Sequence, residues 1–276
     1  EVDPTQKERI VRALKVKKHV VGYMGDGIND IPALNAADVG ISVNNAVDVA
    51  KETADFILQT NSLEVLKRGI ILGRTTFNNT IKYILITTSA NFGNMFSMAG
   101  ASLFLPFLPL LPKQILLINF LSDFPAITIA NDNVDQEQIE KPKQWDIKFI
   151  TRYMLVFGLI SSVFDYITFG VLLLIFKTPE SLFQSSWFLI SIVTELVILI
   201  LMRTQKQFFK SRPSPILLFA SLFVTVVTFI LIFSPLNQLF YLQAIPVKIL
   251  MSLFGIIALY SLITEYAKLR FYERHN

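Results

Sequence analysis

Polar and apolar positions divide the chain into two stretches of different texture. Up to about residue 65 the two kinds alternate in short blocks. Thr5–Lys15 puts Ile10, Val11 and Leu14 on one face of a helix, with Pro4 near its start. His19–Met24 is a short apolar run with β-branched residues, which predicts a buried strand. Gly25-Asp26-Gly27 is a turn, and Asp30–Asn35 opens a short helix. Val39–Val43 predicts a second strand, Ala46–Thr53 a helix and Ala54–Leu58 a third strand. Such a βαβ series predicts a parallel, Rossmann-like α/β sheet. So short a stretch carries only half of a doubly wound domain, and the remaining strands are expected from elsewhere.

From about residue 79 onward long apolar runs recur, each near the ~20 residues that cross a bilayer. Six are predicted: Asn79–Leu103, Phe107–Ala130, Tyr153–Phe176, Ser186–Met202, Pro215–Phe233 and Pro246–Tyr266. The second is interrupted by Pro109, Pro112, Asp123 and Pro125. The fold class expected is therefore an α-helical membrane bundle of six transmembrane helices, preceded by a partial α/β segment. The domain boundaries expected are 1–65, 66–130 and 131–276.

Charge orients the bundle. Lys67, Arg68, Arg74 and Lys82 precede the first run, and Lys141, Lys143, Lys148 and Arg152 follow the second. Arg203, Lys206, Lys210 and Arg212 follow the fourth, and Lys268, Arg270 and Arg274 the sixth. The opposite loops hold only Lys113, Lys177 and Lys248. The positive-inside rule then places both termini of a multi-pass membrane protein in the cytoplasm. The formal net charge of +4 is accounted for by these loops, and no nucleic-acid partner is expected. The absence of Cys excludes disulfides and thiolate metal sites, and with them a pump for soft metals. Glu1 at the start, with no signal-like run behind it, suggests a fragment or a processed chain.

Two sets of residues carry candidate chemistry. In Gly25-Asp26-Gly27-Ile28-Asn29-Asp30 a strand ends in a tight turn, and two carboxylates and an amide emerge at the carboxyl end of a parallel sheet. Open α/β sheets bind ligands there, and carboxylate oxygens suit Mg²⁺. The alternative is a turn bearing solvated acids. In the membrane, Asn91 and Asn94 share a face of the first run, and Asn119, Ser122 and Asp123 a face of the second. Five oxygen-bearing side chains on adjacent helices suit a hard cation, and Pro125 can break the second helix to free further carbonyls. The alternative for the amides and the serine is hydrogen bonding between helices. Asp165 and Glu195, mid-span in the third and fourth runs, read either as a further cation contact or entry path, or as bonded bundle residues. Trp145 and Trp187 are expected in an interfacial aromatic belt.

The motif from Gly25 to Asp30, followed by Pro32-Ala33-Leu34 and Ala37-Asp38-Val39-Gly40-Ile41-Ser42-Val43, resembles the hinge motif of P-type ATPase phosphorylation domains, of the haloacid-dehalogenase superfamily. The resemblance implies that Asp26 ligates Mg²⁺ and that Asn29 and Asp30 position phosphate and brace the site, with Asp30 counted among the metal-site acids. Pro4-Thr5-Gln6-Lys7 matches the family's upstream helix start, which implies that Lys7 meets the phosphate. Ser89–Asn94 and Leu117–Asp123 resemble the fifth and sixth membrane helices of these pumps, which form the family's cation site. Asn-Phe-Gly-Asn in the fifth is closest to the magnesium importers, where calcium pumps have Glu at the position of Asn94. Further matches run through Lys141–Asp146, Ser161–Asp165 and Leu201–Gln205.

The resemblance implies ATP and Mg²⁺ as cofactors, and the lipid bilayer, a transported cation and an N-terminal half of the pump as partners. The family's Asp-Lys-Thr-Gly-Thr nucleophile string, its Thr-Gly-Glu loop, its nucleotide-binding domain and its first four membrane helices have no counterpart in the sequence. The chain alone is accordingly expected to be inactive. The expected function is the C-terminal portion of an ATP-driven magnesium importer. The alternatives are a pump for Ca²⁺ or H⁺, a split pump, and a truncated membrane module without enzymatic activity.

Overall fold

The computed structural model describes residues 2–60 and 62–274, which form two compact units, 1–73 and 74–276. In the first unit, helix α1 (Pro4–Val16) starts at a capping box: Asp3 accepts from the Thr5 amide and Gln6 reaches back to the Asp3 amide. Strands β1 (Gly22–Met24), β2 (Val39–Val43) and β3 (Phe56–Leu58) form a parallel sheet in the order β1-β2-β3. Gly22 pairs with Val39, and Ile41 with Phe56. The crossovers carry α2 (Ile31–Ala36) and α3 (Asp48–Thr53). Two small apolar clusters hold the unit, one on Val11, Ala33 and Ala36, the other on Leu34, Ala46 and Ala50.

The strand expected to be buried is shorter and more open than its sequence suggested. It begins at Gly22, which is exposed, and Val20 before it is 67% exposed. β1 is an edge of the sheet among the described residues, so only one side of it is paired. Phe56, on the opposite edge strand, is 63% exposed.

The second unit is helical: α4 (Leu63–Ala101, from Arg74 on), α5 (Pro112–Ile127), α6 (Gln136–Glu140), α7 (Ile147–Gly170), α8 (Glu180–Met202), α9 (Pro215–Phe233) and α10 (Val247–Glu273). A π-helical turn, Val171–Ile175, extends α7. α7 with that turn, α8, α9 and α10 are long and apolar enough to cross a membrane. α5 has 16 residues, about 24 Å of helix, against the ~30 Å of a hydrocarbon core. The prolines ahead of it delay its start to Pro112, so the expected span Phe107–Ala130 is only partly helical. Pro125 does not break α5: the helix runs on to Ile127, and the Thr128 hydroxyl donates to the Pro125 carbonyl at 2.6 Å.

α8 is the centre of this unit, with Phe183–Ile192 buried without interruption. α4 and α7 cross on small residues. A methyl group added to Gly93 would lie 3.0 Å from Ser161 Cβ and 3.1 Å from the Gly158 carbonyl, so a side chain there would push the two helices apart by a few tenths of an ångström. The Ser162 hydroxyl donates to the Gly93 carbonyl across the same crossing at 3.0 Å. Trp187 is not in an interfacial belt. It is 1% exposed, because its indole N–H is needed by the buried Asp165.

Where the chain leaves α5, a set of charges is buried. Asp132 Oδ2 accepts from Lys82 at 3.1 Å and Arg203 at 2.8 Å, and its Oδ1 from the Ser214 amide at 2.9 Å. Asp135 accepts from Thr204 at 2.5 Å and Ser211 at 2.6 Å. Lys82 and Arg203, read from the sequence as loop charges that set orientation, thus also carry structure.

Candidate functional sites

In the first unit the end of β1 delivers Gly25-Asp26-Gly27, and the loop is pinned from several sides. The Gly25 amide donates to the Ile41 carbonyl, the Ser42 hydroxyl to the Gly25 carbonyl and the Val47 amide to the Asp26 carbonyl, each at 3.0 Å. Asp30 gathers the rest. Its Oδ1 accepts from Lys7 Nζ and Tyr23 Oη, both at 2.7 Å, and its Oδ2 from the amides of Asp26 and Gly27, both at 3.3 Å. Burial pushes the Asp30 carboxyl up, but Lys7, Tyr23 and the two amides outweigh it and hold the group below the usual carboxylate range. The Asp30 carboxylate raises Lys7 above its ordinary value, while burial, then Asp30, raises Tyr23. Gly25 has no room for a side chain: a β-carbon there would lie 2.8 Å from Asp30 Cγ.

Lys7 and Asp30 are thereby brought together, whereas the side chains of Asp26 and Asn29 are exposed at the open end of the strand. One exposed carboxylate beside a lysine and an amide fits Mg²⁺, which keeps waters and phosphate oxygens as its other ligands. Among the described residues no three His, Cys, Asp or Glu side chains converge as a metal centre. The sequence reading missed Tyr23, whose hydroxyl completes the set around Asp30. Its position as the middle residue of β1 was the one available signal.

In the second unit α4, α5 and α8 bring their polar residues together. Asn91, Ser122, Asp123 and Glu195 line a cleft of about 40 Å³ with Thr87. Asn91, Asn94 and Asn119 line a second cavity of about 420 Å³. The Asn94 amide donates to Glu195 Oε1, and the Ser122 hydroxyl donates to the Asn119 carbonyl at 3.3 Å. All five residues singled out from the sequence thus face these two spaces, and Glu195 joins them from α8. Asn91, Asn119 and Asp123 are exposed, and Asn94, Ser122 and Glu195 half-buried. Asp165 lies apart from the cluster's hydrogen bonds, fully engaged by Ser97 at 2.6 Å and Trp187 at 2.9 Å. This is the bonded-bundle alternative.

Comparison with known proteins agrees with the division of the chain. A family model described as cation transporting ATPase, C-terminus, matches residues 107–270, and one described as haloacid dehalogenase-like hydrolase matches residues 6–68. The chain is 49% identical over 276 residues to the magnesium-transporting ATPase, P-type 1, of Salmonella typhimurium LT2, covering 98% of this chain and 30% of that relative. With the protein of the same name from Escherichia coli K12 it shares 48% identity, covering 98% of this chain and 31% of the relative. With calcium-transporting ATPase 1 of Bacillus cereus it shares 37% over 145 residues, covering 51% of this chain and 16% of the relative. The chain therefore spans about three-tenths of the length of the magnesium-transporting relatives.

Proposed function

Because the chain belongs to the family of cation transporting ATPase C-termini, we propose that it works as the C-terminal portion of a P-type ATPase importing Mg²⁺ across the plasma membrane. Residues 1–65 are the second half of the phosphorylation domain, 66–130 carry the cation site, and 131–276 supply the last four membrane helices. α4 and α5 count as spans alongside α7–α10, giving six, with both termini in the cytoplasm. The nucleophilic aspartate and the ATP-binding domain belong to the N-terminal part of such a pump, its partner together with the bilayer.

In the first unit Lys7 meets the phosphoryl group of the aspartyl-phosphate, Asp26 and Asn29 face the metal and phosphate oxygens, and Asp30 braces Lys7 and the loop. Mg²⁺ supplies charge neutralisation at the transferring phosphoryl group when bound. Asp30 has four donors around its two oxygens, which supports a bracing role over direct ligation.

The observation that carries the transport reading is the convergence of Asn91, Asn94, Asn119, Ser122 and Asp123 with Glu195 on three helices. Two carboxylates among neutral oxygens suit Mg²⁺, which retains water. Ca²⁺ takes six to eight oxygen ligands in a more flexible geometry, usually with more carboxylates. The test is Mg²⁺ uptake by cells that depend on the complete pump, comparing wild type with Asp123→Ala. Loss of uptake with normal membrane insertion is expected. Uptake at the wild-type rate would remove this cluster from the transport path.

A further inference from the structure

The two cavities beside the polar cluster are stacked along the same three helices. The smaller is lined from α4 by Ile86, Thr87, Ala90 and Asn91, from α5 by Ser122, Asp123 and Ala126, and from α8 by Glu195, Leu196 and Leu199. The larger continues one to two turns along each helix, to Met98 on α4, Ile115 on α5 and Trp187 on α8. Asn91 lines both. The two spaces differ in size and in charge. Six waters occupy about 180 Å³ at ~30 Å³ each, so a hexahydrated ion fits within the larger space of about 420 Å³. The smaller, at about 40 Å³, is about a tenth of that size and far tighter around an ion. The larger is lined by three amides, Ser191 and apolar side chains, with no charged residue, whereas the smaller holds both Asp123 and Glu195.

Ser191 is an independent sign that water belongs in the larger space. It is 3% exposed and its hydroxyl has no partner. Ser185 and Thr194 on the same helix bond back to their own turn at 2.7 Å, and Ser186, which is likewise without a partner, lines neither space. A buried hydroxyl left unbonded in a bundle is costly unless a water or a hydrated ligand meets it.

We propose that the larger cavity is a vestibule that receives the transported cation with its water shell intact, that the smaller is a compartment that receives it stripped, and that Asn91 divides them. This rests on the reading of the polar cluster as the cation site. Neutral amide oxygens and the Ser191 hydroxyl hydrogen-bond to shell waters without displacing them. Carboxylates replace those waters. Mg²⁺ gives up its shell reluctantly, so separating recognition from dehydration lets the acids act on an ion already in register.

The test uses hexaamminecobalt(III), a cation near the size of hexahydrated magnesium whose ligands do not exchange. This chain has no Cys, so in a complete pump whose remaining part is also freed of Cys, single cysteines mark each space: Met98→Cys for the vestibule and Thr87→Cys for the inner compartment. Met95→Cys and Ala90→Cys form a second pair should either first variant fold poorly. The rate of modification by a small water-soluble thiol reagent is measured with and without each cation. At about ten times its Kd a bound cation slows modification about tenfold. Mg²⁺ is expected to protect both positions, and hexaamminecobalt(III) the vestibule alone. Protection of both by hexaamminecobalt(III), or of neither while Mg²⁺ protects both, overturns the division by hydration. If Mg²⁺ protects neither, the cluster is not the cation site and the proposal falls with that reading.

Discussion

Replacing Asp132 with alanine removes the one carboxylate between two buried cations. The side chain is fully buried, and those of Lys82 and Arg203 are 7% and 1% exposed. Breaking such a pair by deleting one partner costs about 3–5 kcal/mol, because the remaining charge stays buried. Here both cations keep other acceptors. Lys82 still donates to the Asn133 carbonyl at 2.7 Å, and Arg203 to the carbonyls of Ser211 and Arg212. The lower end, about 3 kcal/mol, therefore applies, with about 1 kcal/mol more for the Ser214 amide left without an acceptor. A loss of about 4 kcal/mol lowers the folded-to-unfolded ratio nearly a thousandfold. The assay is the temperature at which half of the detergent-solubilised protein ceases to elute as a single species. Asp132→Ala should fall well below wild type, Asp132→Asn less far, and adding Lys82→Met to Asp132→Ala should recover part of the loss. Lys206→Ala, which breaks the exposed pair with Glu137, serves as the control and should match wild type. If Asp132→Ala melts with Lys206→Ala, the cluster contributes nothing and the reasoning fails.

Three further outcomes follow from the geometry. Gly25→Ala would put a methyl group 2.8 Å from Asp30 Cγ, so it should displace that carboxylate and abolish phosphoenzyme formation in the complete pump, while far-UV circular dichroism stays unchanged. Asp30 titrates below its ordinary 3.8 and Lys7 above its ordinary 10.5. The depressed group stabilises above its unfolded value and is lost as pH falls through its folded one, and the raised group is lost only as pH climbs past its own folded value. Lys7→Met should therefore weaken amide-exchange protection at Gly27 equally from about pH 4 to about pH 10, with the difference from wild type shrinking outside that window. Gly158→Leu should lower the thermal midpoint by overpacking the α4–α7 crossing, at a cost of about 1–3 kcal/mol, since a β-carbon at Gly158 already lies 3.1 Å from the Ser89 carbonyl. Gly158→Ala should lower it less, and equal midpoints would argue that the crossing is loose.

What the sequence disclosed followed local rules, and what it hid depended on partners far along the chain. Pro4, the Gly25-Asp26-Gly27 turn and the β-branched runs punctuate the first unit, and each element there lies within a few residues of its expected place. Helical periodicity likewise grouped Asn91 with Asn94, and Asn119 with Ser122 and Asp123. It could not say what α8 would bring opposite them. Glu195 meets Asn94 across 101 residues of sequence, and no spacing rule reaches that far. Trp187 was misread for the same reason: a tryptophan near the end of an apolar run looks interfacial until its buried partner Asp165 is known. Asp132 and Asp135 lay in a connection that hydropathy treats as solvent. The structure buries Asp132 fully, because the charges that neutralise it come from the middle of α4 and the end of α8. For α5, hydropathy overestimated the helix because it does not weigh the prolines that delay its start.

The Asp132 cluster also sets a timetable. Lys82 precedes that carboxylate by 50 residues, whereas Arg203 follows it by 71 and Ser214 by 82. Chains grow at about 5–20 residues per second, so roughly 4–14 s separate the synthesis of Asp132 from that of Arg203. During that interval the nascent chain holds the first pair without its guanidinium, and α4 and α5 await the segments that lock them. A ribosome pause between α7 and α8 would prolong this half-neutralised stage. The insertion machinery then has to shelter a carboxylate whose second counter-ion has not yet been translated.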